Sequence, residues 1–331
     1  MIFHPTILAL YAGSFLVGFM VLYAAPQAFQ ILRRWDLPSG SALQLTIERK
    51  TYLISSLLAY AFGFELLSFF LYIFTAEQLH PLFIGAMCAA GSLYANPYGY
   101  PTLIVKLINF LLAGIWLIVN YVDNQGADYP LIRGKYIFFL LLVPLILLET
   151  VLQANYFLRL RPDIITSCCG TLFSTESSVL PSGLNFLPQF PAKTVFYCVM
   201  ALAVSTGIYA FLKGRGGLLF SGVSALAFLV SVVSIFSFIS LYIYELPTHA
   251  CPFCLLQKEY HYIGYPLYLT LLGGAITGIG AGVVGPFGKI KSLAKILPGI
   301  RKKLILTSVI LFLIFTIIVT VQIFLSGLVL E

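Results

Sequence analysis

Eight apolar stretches, each near the length that a helix needs to cross a bilayer, limit what this chain can fold into. A hydrocarbon core of about 30 Å requires roughly 20 residues of apolar helix. Turn-forming or charged residues bound the stretches, which we place near 5–32, 52–75, 101–122, 136–158, 194–212, 217–245, 262–286 and 303–328. Hydrophobic residues make up 60% of the 331 residues and charged residues only 9%, which excludes a water-soluble domain. The sequence therefore predicts an all-α, polytopic membrane helix bundle of about eight spans in contact with membrane lipid.

The basic residues predict the orientation of these spans. Fourteen of the nineteen Lys and Arg residues fall in alternate connections, among them Arg49 and Lys50 after the first span and Lys135 after the third. The positive-inside rule assigns those connections to the cytoplasm and both termini to the outside. Because the positive charge follows this alternation, the net charge of +7 indicates topology and predicts no nucleic-acid partner.

All six cysteines and all four histidines are then expected near the outer face. The cysteines are Cys88, Cys168, Cys169, Cys198, Cys251 and Cys254. The outer side of a plasma membrane is where disulfides form and persist, whereas the cytosol keeps thiols reduced. We therefore expect a multi-pass protein of a bacterial-type plasma (inner) membrane with its sulfur chemistry outside.

Two segments between spans differ from ordinary loops. Residues 76–100 are too apolar for a loop and too interrupted by Gly, Pro and Asn for a full span, which favours a re-entrant or interfacial segment. Residues 159–193 form the largest predicted outward loop, rich in Ser, Pro and Gly, and carry the adjacent pair Cys168-Cys169.

The stretch "THACPFCLLQKEYHYIGYPLY", residues 248–268, holds the candidate reactive centre. A C-x-x-C pair at the start of a helix gains from the uncapped N–H groups and the helix dipole, which lower a thiol pKa. Lys258 follows Cys254 by one helical turn, on the same predicted face. Beside it, His261 and Tyr262 belong to an aromatic run typical of interfacial anchoring, which also suits a flat quinone ring.

These residues resemble two related kinds of membrane thiol–disulfide oxidoreductase. "CPFCLLQK" resembles the C-x-x-C-aliphatic-x-Gln-basic stretch of the DsbB-type quinone-linked disulfide-forming proteins, with lysine in place of the usual arginine. The order of parts over about 136–286 is similar to the vitamin K epoxide reductase family, in which a loop cysteine pair follows the first helix of a four-helix bundle and a C-x-x-C opens the fourth. The resemblance implies that Cys168 and Cys169 exchange disulfides with an extracytoplasmic thiol protein. It also implies that Cys251 and Cys254 pass electrons to or from a quinone, with Lys258, His261 and Tyr262 beside that cofactor.

The resemblance also suggests how the chain is divided, although this sequence differs from the family pattern in two respects. We assign 1–135 to an N-terminal three-helix membrane region, 136–286 to a four-helix redox bundle, and 287–331 to a basic cytoplasmic loop with a final span. The first three spans and the last have no counterpart in the small bundles. In the family the loop cysteines are separated, whereas Cys168 and Cys169 are adjacent, so a disulfide between them would be strained and oxidising. Alternatively only one of them reacts and the other bonds elsewhere, for example to Cys88.

Other functions fit the same residues. The C-x-x-C pair is also compatible with a structural disulfide. Thiolates and imidazole suit Cu(I) or Zn, so a transporter or soft-metal-handling protein could use Cys168, Cys169, Cys251, Cys254 and His249 as ligands. A structural subunit of a membrane electron-transfer complex is a third class. Covalent haem is not expected, because Leu255 and not histidine follows Cys254.

Ionisable residues inside spans are costly and mark function or a buried pair. Glu65 and Glu149 fall inside the second and fourth spans, and Lys106 lies near the outer end of the third. A Glu65–Lys106 pair, or snorkelling of the lysine, explains them without activity; a functional role would be proton delivery. Cys198 lies on an apolar helix, a position that favours a role in core packing over a chemical role.

Overall fold

The protein folds almost entirely into helices. The computed structural model describes residues 4–36, 41–126, 128–161, 189–246 and 249–328, and these residues form no β-strand. The helices are α1 (Pro5–Arg34), α2 (Ala42–Leu79), α3 (Ala89–Tyr94), α4 (Gly99–Asp123), α5 (Ile132–Leu158), α6 (Gln189–Lys213), α7 (Gly217–Ser234), α8 (Ser240–Tyr244), α9 (Gly264–Val283) and α10 (Leu297–Leu325). A π-helical turn, Ile235–Ile239, joins α7 to α8 without a break.

Eight helices in the described ranges are long and apolar enough to cross a membrane, with α7, the π turn and α8 counted as one span, Gly217–Tyr244. This confirms the all-α polytopic bundle. The largest difference in bounds is at α2, predicted over 52–75 but extending from Ala42 to Leu79. Arg49 and Lys50 were expected in a loop and instead lie on this helix, because its polar first turns continue the helical backbone beyond the apolar stretch.

Contacts divide the chain into two compact units. Unit one comprises Met1–Leu79, Leu93–Ile164 and Phe287–Leu297, and its helices α1, α2, α4 and α5 pack on one another. Aromatic rings fill its centre, where Phe62 meets Trp116 edge-to-face with 4.8 Å between ring centroids. Edge-to-face packing of this kind adds to the free energy gained from burial alone.

Unit two comprises His80–Ser92, Ile165–Pro286 and Pro298–Glu331. In it, α9 packs closely against α7 through small residues. A Cβ atom at Gly278 would lie 2.3 Å from Ser224 Oγ, and the Ser308 hydroxyl of α10 donates to the Gly274 carbonyl at 2.7 Å. Close approach through glycine and serine is typical of helix packing in lipid, where van der Waals contact and interhelical hydrogen bonds stabilise the interface.

This division differs from the grouping expected from the sequence. The fourth span, α5, was assigned to a bundle covering 136–286, yet it packs with α1 and α4 in unit one. The final span, α10, was assigned to a separate region and belongs to unit two. The assignment of a separate function to each region stays a prediction.

Unit one also buries two ion pairs. Lys106 Nζ lies 2.5 Å from Glu149 Oε1, and Lys135 Nζ lies 2.5 Å from Asp123 Oδ2. The expected partner of Lys106 was Glu65; the lysine is instead paired with the carboxylate of α5. Lys135 was assigned to a cytoplasmic loop but is fully buried on α5. Each ammonium therefore has the partner that a buried charge requires.

Candidate functional site

The first part of the candidate site comes from the segment after α2. This segment was predicted to be re-entrant or interfacial, and it turns at once through a 3-10 turn, His80–Leu82, and reaches the short helix α3. Cys88 stands immediately before α3 with none of its surface exposed. The apolar and small residues around it, Ala89, Ala90 and Ser92, are fully buried as well. Packing within the protein thus accounts for the small residues around Cys88, whereas the larger apolar side chains of Leu82, Ile84 and Met87 are exposed.

The second part is the C-x-x-C turn between α8 and α9. Cys254 begins a 3-10 turn, Cys254–Leu256, and a second 3-10 turn, Lys258–Tyr260, follows it. The α-helix α9 begins only at Gly264, so the prediction that C-x-x-C opens the helix is wrong in this respect. A Cβ atom at Gly264 would lie 2.9 Å from Leu256 Cδ2, and this close approach holds the cysteine turn on the first turn of α9.

Three sulfur atoms converge where these two parts meet within unit two. The Sγ atoms of Cys88 and Cys251 are 3.5 Å apart, and those of Cys88, Cys251 and Cys254 all lie within 4.8 Å of one another. The exposed fractions of these residues are 0%, 1% and 4%. All three are free thiols and none is joined in a disulfide. We call this group the cysteine centre.

Hydrogen bonds from neighbouring side chains fix the backbone around the cysteine centre. The Tyr244 hydroxyl, at the end of α8, donates to the carbonyl oxygen of Cys251. The Tyr268 hydroxyl of α9 donates to the carbonyl oxygen of Pro252 at 2.5 Å. Gln257 Nε2 donates to the carbonyl oxygen of Met87 at 2.9 Å and so joins the turn to the segment that carries Cys88.

The electrostatics of the cysteine centre single out Cys251. Hydrogen bonding from Cys254, and then from Cys88, holds the pKa of the Cys251 thiol well below its usual range, with further help from the backbone N–H groups of Phe253 and Cys254. The same hydrogen bonding to Cys251, together with burial, raises the pKa of Cys254. Of this C-x-x-C pair, Cys251 is therefore the favoured thiolate and Cys254 the protonated donor.

His249 adds an imidazole to the same place. Its Nε2 lies 3.4 Å from Cys254 Sγ, and its ring packs against Tyr244 with 4.8 Å between centroids. Burial lowers the pKa of His249, which favours the neutral ring. A neutral imidazole is the form that accepts a proton or binds a metal ion.

The other predicted site residues lie apart from this buried group or outside the described residues. Lys258, on the second 3-10 turn, is exposed, and so are His261 and Tyr262 in the turn that follows it before α9. Cys168 and Cys169 lie outside the described residues. Cys198, favoured as a core residue, is exposed on α6, so that packing interpretation is wrong.

Sequence reasoning did not assign Cys88 to the C-x-x-C pair. The two are separated by 163 residues, and no motif surrounds Cys88. One signal was present, because every cysteine was expected in one layer at the outer face. Tyr244 and Tyr268 were also missed, since a tyrosine near a span end reads first as an interfacial anchor.

The lowered pKa of Cys251 predicts a thiolate at neutral pH in the reduced, metal-free protein. The charge should persist as the pH falls below the ordinary cysteine range and disappear only on acidification through the lowered pKa. Cys254→Ala removes the leading donor and should raise the midpoint towards the ordinary cysteine range. Thiolate ultraviolet absorbance measures this, with Cys198→Ala as the matched control. A midpoint that is unchanged in Cys254→Ala would contradict the hydrogen-bonded thiolate.

Fold and site together define a multi-pass α-helical membrane protein that carries a buried three-cysteine centre beside a histidine. Comparison of the chain with protein-family models, curated proteins and solved structures found no match. The function is therefore argued from the site itself.

Proposed function

We propose that the protein is a membrane thiol–disulfide oxidoreductase that works through the cysteine centre. One observation carries the proposal: the Cys251 sulfur has two thiol neighbours, with Cys88 Sγ at 3.5 Å and Cys254 Sγ in the same cluster. Disulfide exchange needs a thiolate and a second sulfur within reach. When an oxidant removes two electrons, a thiolate between two thiols can form a disulfide with either of them.

Two steps use these three residues. On oxidation, the Cys251 thiolate and the Cys254 thiol form a disulfide and give two electrons and one proton to an acceptor outside the centre. If the Cys88 thiolate then attacks Cys251, the S–S bond to Cys254 breaks, a Cys88–Cys251 disulfide forms and Cys254 leaves as the thiolate. This exchange transfers a disulfide between two segments of the chain without further oxidation or reduction.

A quinone is the electron acceptor that we propose. When bound, it would accept the two electrons and the one proton that leave Cys251 and Cys254, and a second proton taken from water would complete the quinol. Residues of suitable type lie on the turns before α9: Lys258 and His261 offer hydrogen-bond donors to a carbonyl oxygen, and Tyr262 offers an exposed ring 6.3 Å from that of Tyr265. These contacts are part of the proposal, as is the resemblance to the DsbB and vitamin K epoxide reductase types.

The proposed partner is an extracytoplasmic thiol protein at the plasma membrane of a bacterium. The three sulfurs of the cysteine centre are buried, so a protein thiol needs another route to them. We propose that Cys168 and Cys169 receive the partner, as the resemblance implies, and exchange with the cysteine centre.

Thiol counting with a soluble quinone tests the proposed function. The reduced, metal-free protein in lipid nanodiscs should lose two thiols per disulfide on addition of a short-chain quinone and produce one quinol for each. Peptide mass spectrometry should find Cys251 bonded to Cys254 or to Cys88. Retention of all thiols at the cysteine centre, with no quinol formed, would refute the quinone-linked activity.

A soft-metal site is the second candidate, and the burial of the cysteine centre together with His249 favours it. With Zn–S bonds of about 2.3 Å and Zn–N bonds of about 2.0 Å, tetrahedral ligand atoms stand roughly 3.5–3.8 Å apart. The separations of 3.5 Å between Cys88 and Cys251 and 3.4 Å between His249 and Cys254 lie near that range. Three cysteines and a histidine form a common closed set for Zn, and thiolates also suit Cu(I).

Metal analysis separates this candidate from the first. A metal site should retain about one Zn or Cu ion per chain after purification without chelator, and His249→Ala should lower that content. An exchange centre should carry no stoichiometric metal and should keep its thiol count in His249→Ala.

The proposed orientation can be tested with introduced cysteines. Glu259 is exposed beside the cysteine centre, and Lys291 is exposed in the connection between α9 and α10. In intact cells an impermeant maleimide should label Glu259→Cys, whereas Lys291→Cys should react only after the membrane is opened. The reverse pattern would place the cysteine centre in the cytoplasm and remove the oxidising compartment from the proposal.

A further inference from the structure

A second group of ionisable residues lies in unit one, where α2, α4 and α5 meet. The ammonium of Lys106 donates to Glu149 Oε1 at 2.5 Å and to Ser68 Oγ at 2.6 Å. Asn109 Nδ2 donates to the other carboxylate oxygen, Glu149 Oε2, at 2.6 Å. Both oxygens of Glu149 are thus occupied by donors.

Glu65 is the additional acid in this group. It is 3% exposed. Its carboxyl group interacts with the carboxyl group of Glu149 and with the ammonium of Lys106. Its Oε1 atom is buried and has no hydrogen-bond partner among the residues that the structure describes. Two carboxyl groups therefore share a single ammonium in a space without solvent.

Charge decides the state of these three groups. With all of them ionised, the buried site would carry a net charge of minus one, which is expensive inside a membrane span. A proton on one carboxyl makes the site neutral. It also allows one carboxyl to donate a hydrogen bond to the other, because two ionised carboxylates can only accept.

Among the described residues, Glu149 and Lys106 are the charged groups that interact with Glu65. Tyr72 of α2 faces the site, with Lys106 Nζ 5.6 Å from its ring centre, and Tyr156 of α5 packs on Tyr72. From α1, which packs on α2 and α5, the titratable residues are Tyr11, Tyr23 and the terminal Arg33 and Arg34. Gln153 donates to Ser14 and to the Leu10 carbonyl oxygen of α1, both neutral, and Gln30, near the end of α1, accepts from Lys50 of α2.

We propose that Glu65 and Glu149, held beside Lys106, form an exchangeable proton-binding site within the membrane-spanning part of unit one. The ligand is a proton shared between the two carboxyls, with Lys106 neutralising the remaining charge. Because Glu65 Oε1 has no hydrogen-bond partner among the described residues, either oxygen of the Glu65 carboxyl can carry this proton. The inference is independent of the cysteine centre and of its proposed activity.

Infrared spectroscopy of the full-length protein in lipid tests the proposal. The wild type at neutral pH should show the C=O stretch of a protonated carboxylic acid, which shifts to lower frequency after exchange into D2O. Glu65→Gln and Glu149→Gln each leave one carboxylate with one ammonium, so each should lose the band. Glu259→Gln, which changes an exposed acid outside the spans, should keep it. Lys106→Met leaves both acids without a counter-charge and should about double the band.

The wild-type spectrum alone can overturn the proposal, even if a variant fails to fold. A wild type without a protonated-carboxyl band at neutral pH, or with a band unchanged after full exchange into D2O, would show that the group is a fixed ion pair only. Retention of the band in both folded glutamine variants would assign the proton to another residue and equally refute the site.

Discussion

Cys251→Ser is expected to abolish disulfide formation within the cysteine centre, whereas Cys88→Ser and Cys254→Ser should each leave one pair able to close. The difference follows from the position of Cys251, which receives hydrogen bonds from both other thiols and carries the negative charge. Without it, the two remaining thiols lack a stabilised thiolate, and exchange requires one. The expected loss is large, because the centre loses its favoured thiolate and both of the disulfides that we propose contain Cys251.

Site-resolved mapping of disulfides after quinone treatment measures this difference. Cys254→Ser should yield the Cys88–Cys251 disulfide, and Cys88→Ser should yield the Cys251–Cys254 disulfide. Cys198→Ser is the matched control, since that residue is exposed on α6 and should not alter either product. In a metal site the ligands act together, so the three serine variants at the centre would instead lower bound metal to a similar extent and form no disulfide. That result would replace the oxidoreductase proposal with the soft-metal candidate.

Lys106→Met is expected to lower the stability of unit one strongly. Removal of one partner of a buried ion pair typically costs about 3–5 kcal/mol, because the acid left behind must either keep an uncompensated charge or take up a proton at a pH where it would be ionised in the unfolded chain. Here the remaining groups are Glu149 and the neighbouring Glu65, both nearly without solvent contact. Thermal unfolding in detergent should show a clear drop in Tm, and Lys303→Met, at an exposed lysine of α10, should change it little.

A double variant checks the cause of this loss. Lys106→Met combined with Glu149→Gln removes both members of the pair and should recover part of the stability, as a double-mutant cycle requires for interacting residues. A Tm drop in Lys106→Met no larger than that of Lys303→Met would mean that the ion pair contributes little.

The sequence was sufficient for the membrane fold because eight long apolar stretches leave few alternatives. Helix ends were less predictable. At α2 the apolar stretch begins about ten residues after the start of the helix. Residues 42–52 form helical turns whose side chains are mixed in polarity. Hydropathy measures the apolar part of a helix, and the hydrogen-bonded backbone extends beyond it.

The candidate sites were only partly predictable, since sequence gives residue types and approximate depth but few side-chain partners. The C-x-x-C pair was recognised from its spacing, while its contact with Cys88 depends on how a non-spanning segment folds back. Glu65 and Glu149 were both recognised as costly. Their predicted depths were similar, so only the rotation of α2 and α5 about their axes decides which of them meets Lys106.

The tyrosine hydrogen bonds around the C-x-x-C turn have a thermodynamic consequence. Tyr244 and Tyr268 bond to successive carbonyl oxygens, those of Cys251 and Pro252, and so fix the turn before any sulfur reacts. Much of the conformational entropy that a flexible loop would lose on forming a disulfide, or on binding a metal ion, is then already lost on folding. The three thiols consequently face one another at a high effective concentration. Small dissolved thiols would compete poorly with them, and any bond that Cys251 forms within the centre should resist reduction by such thiols.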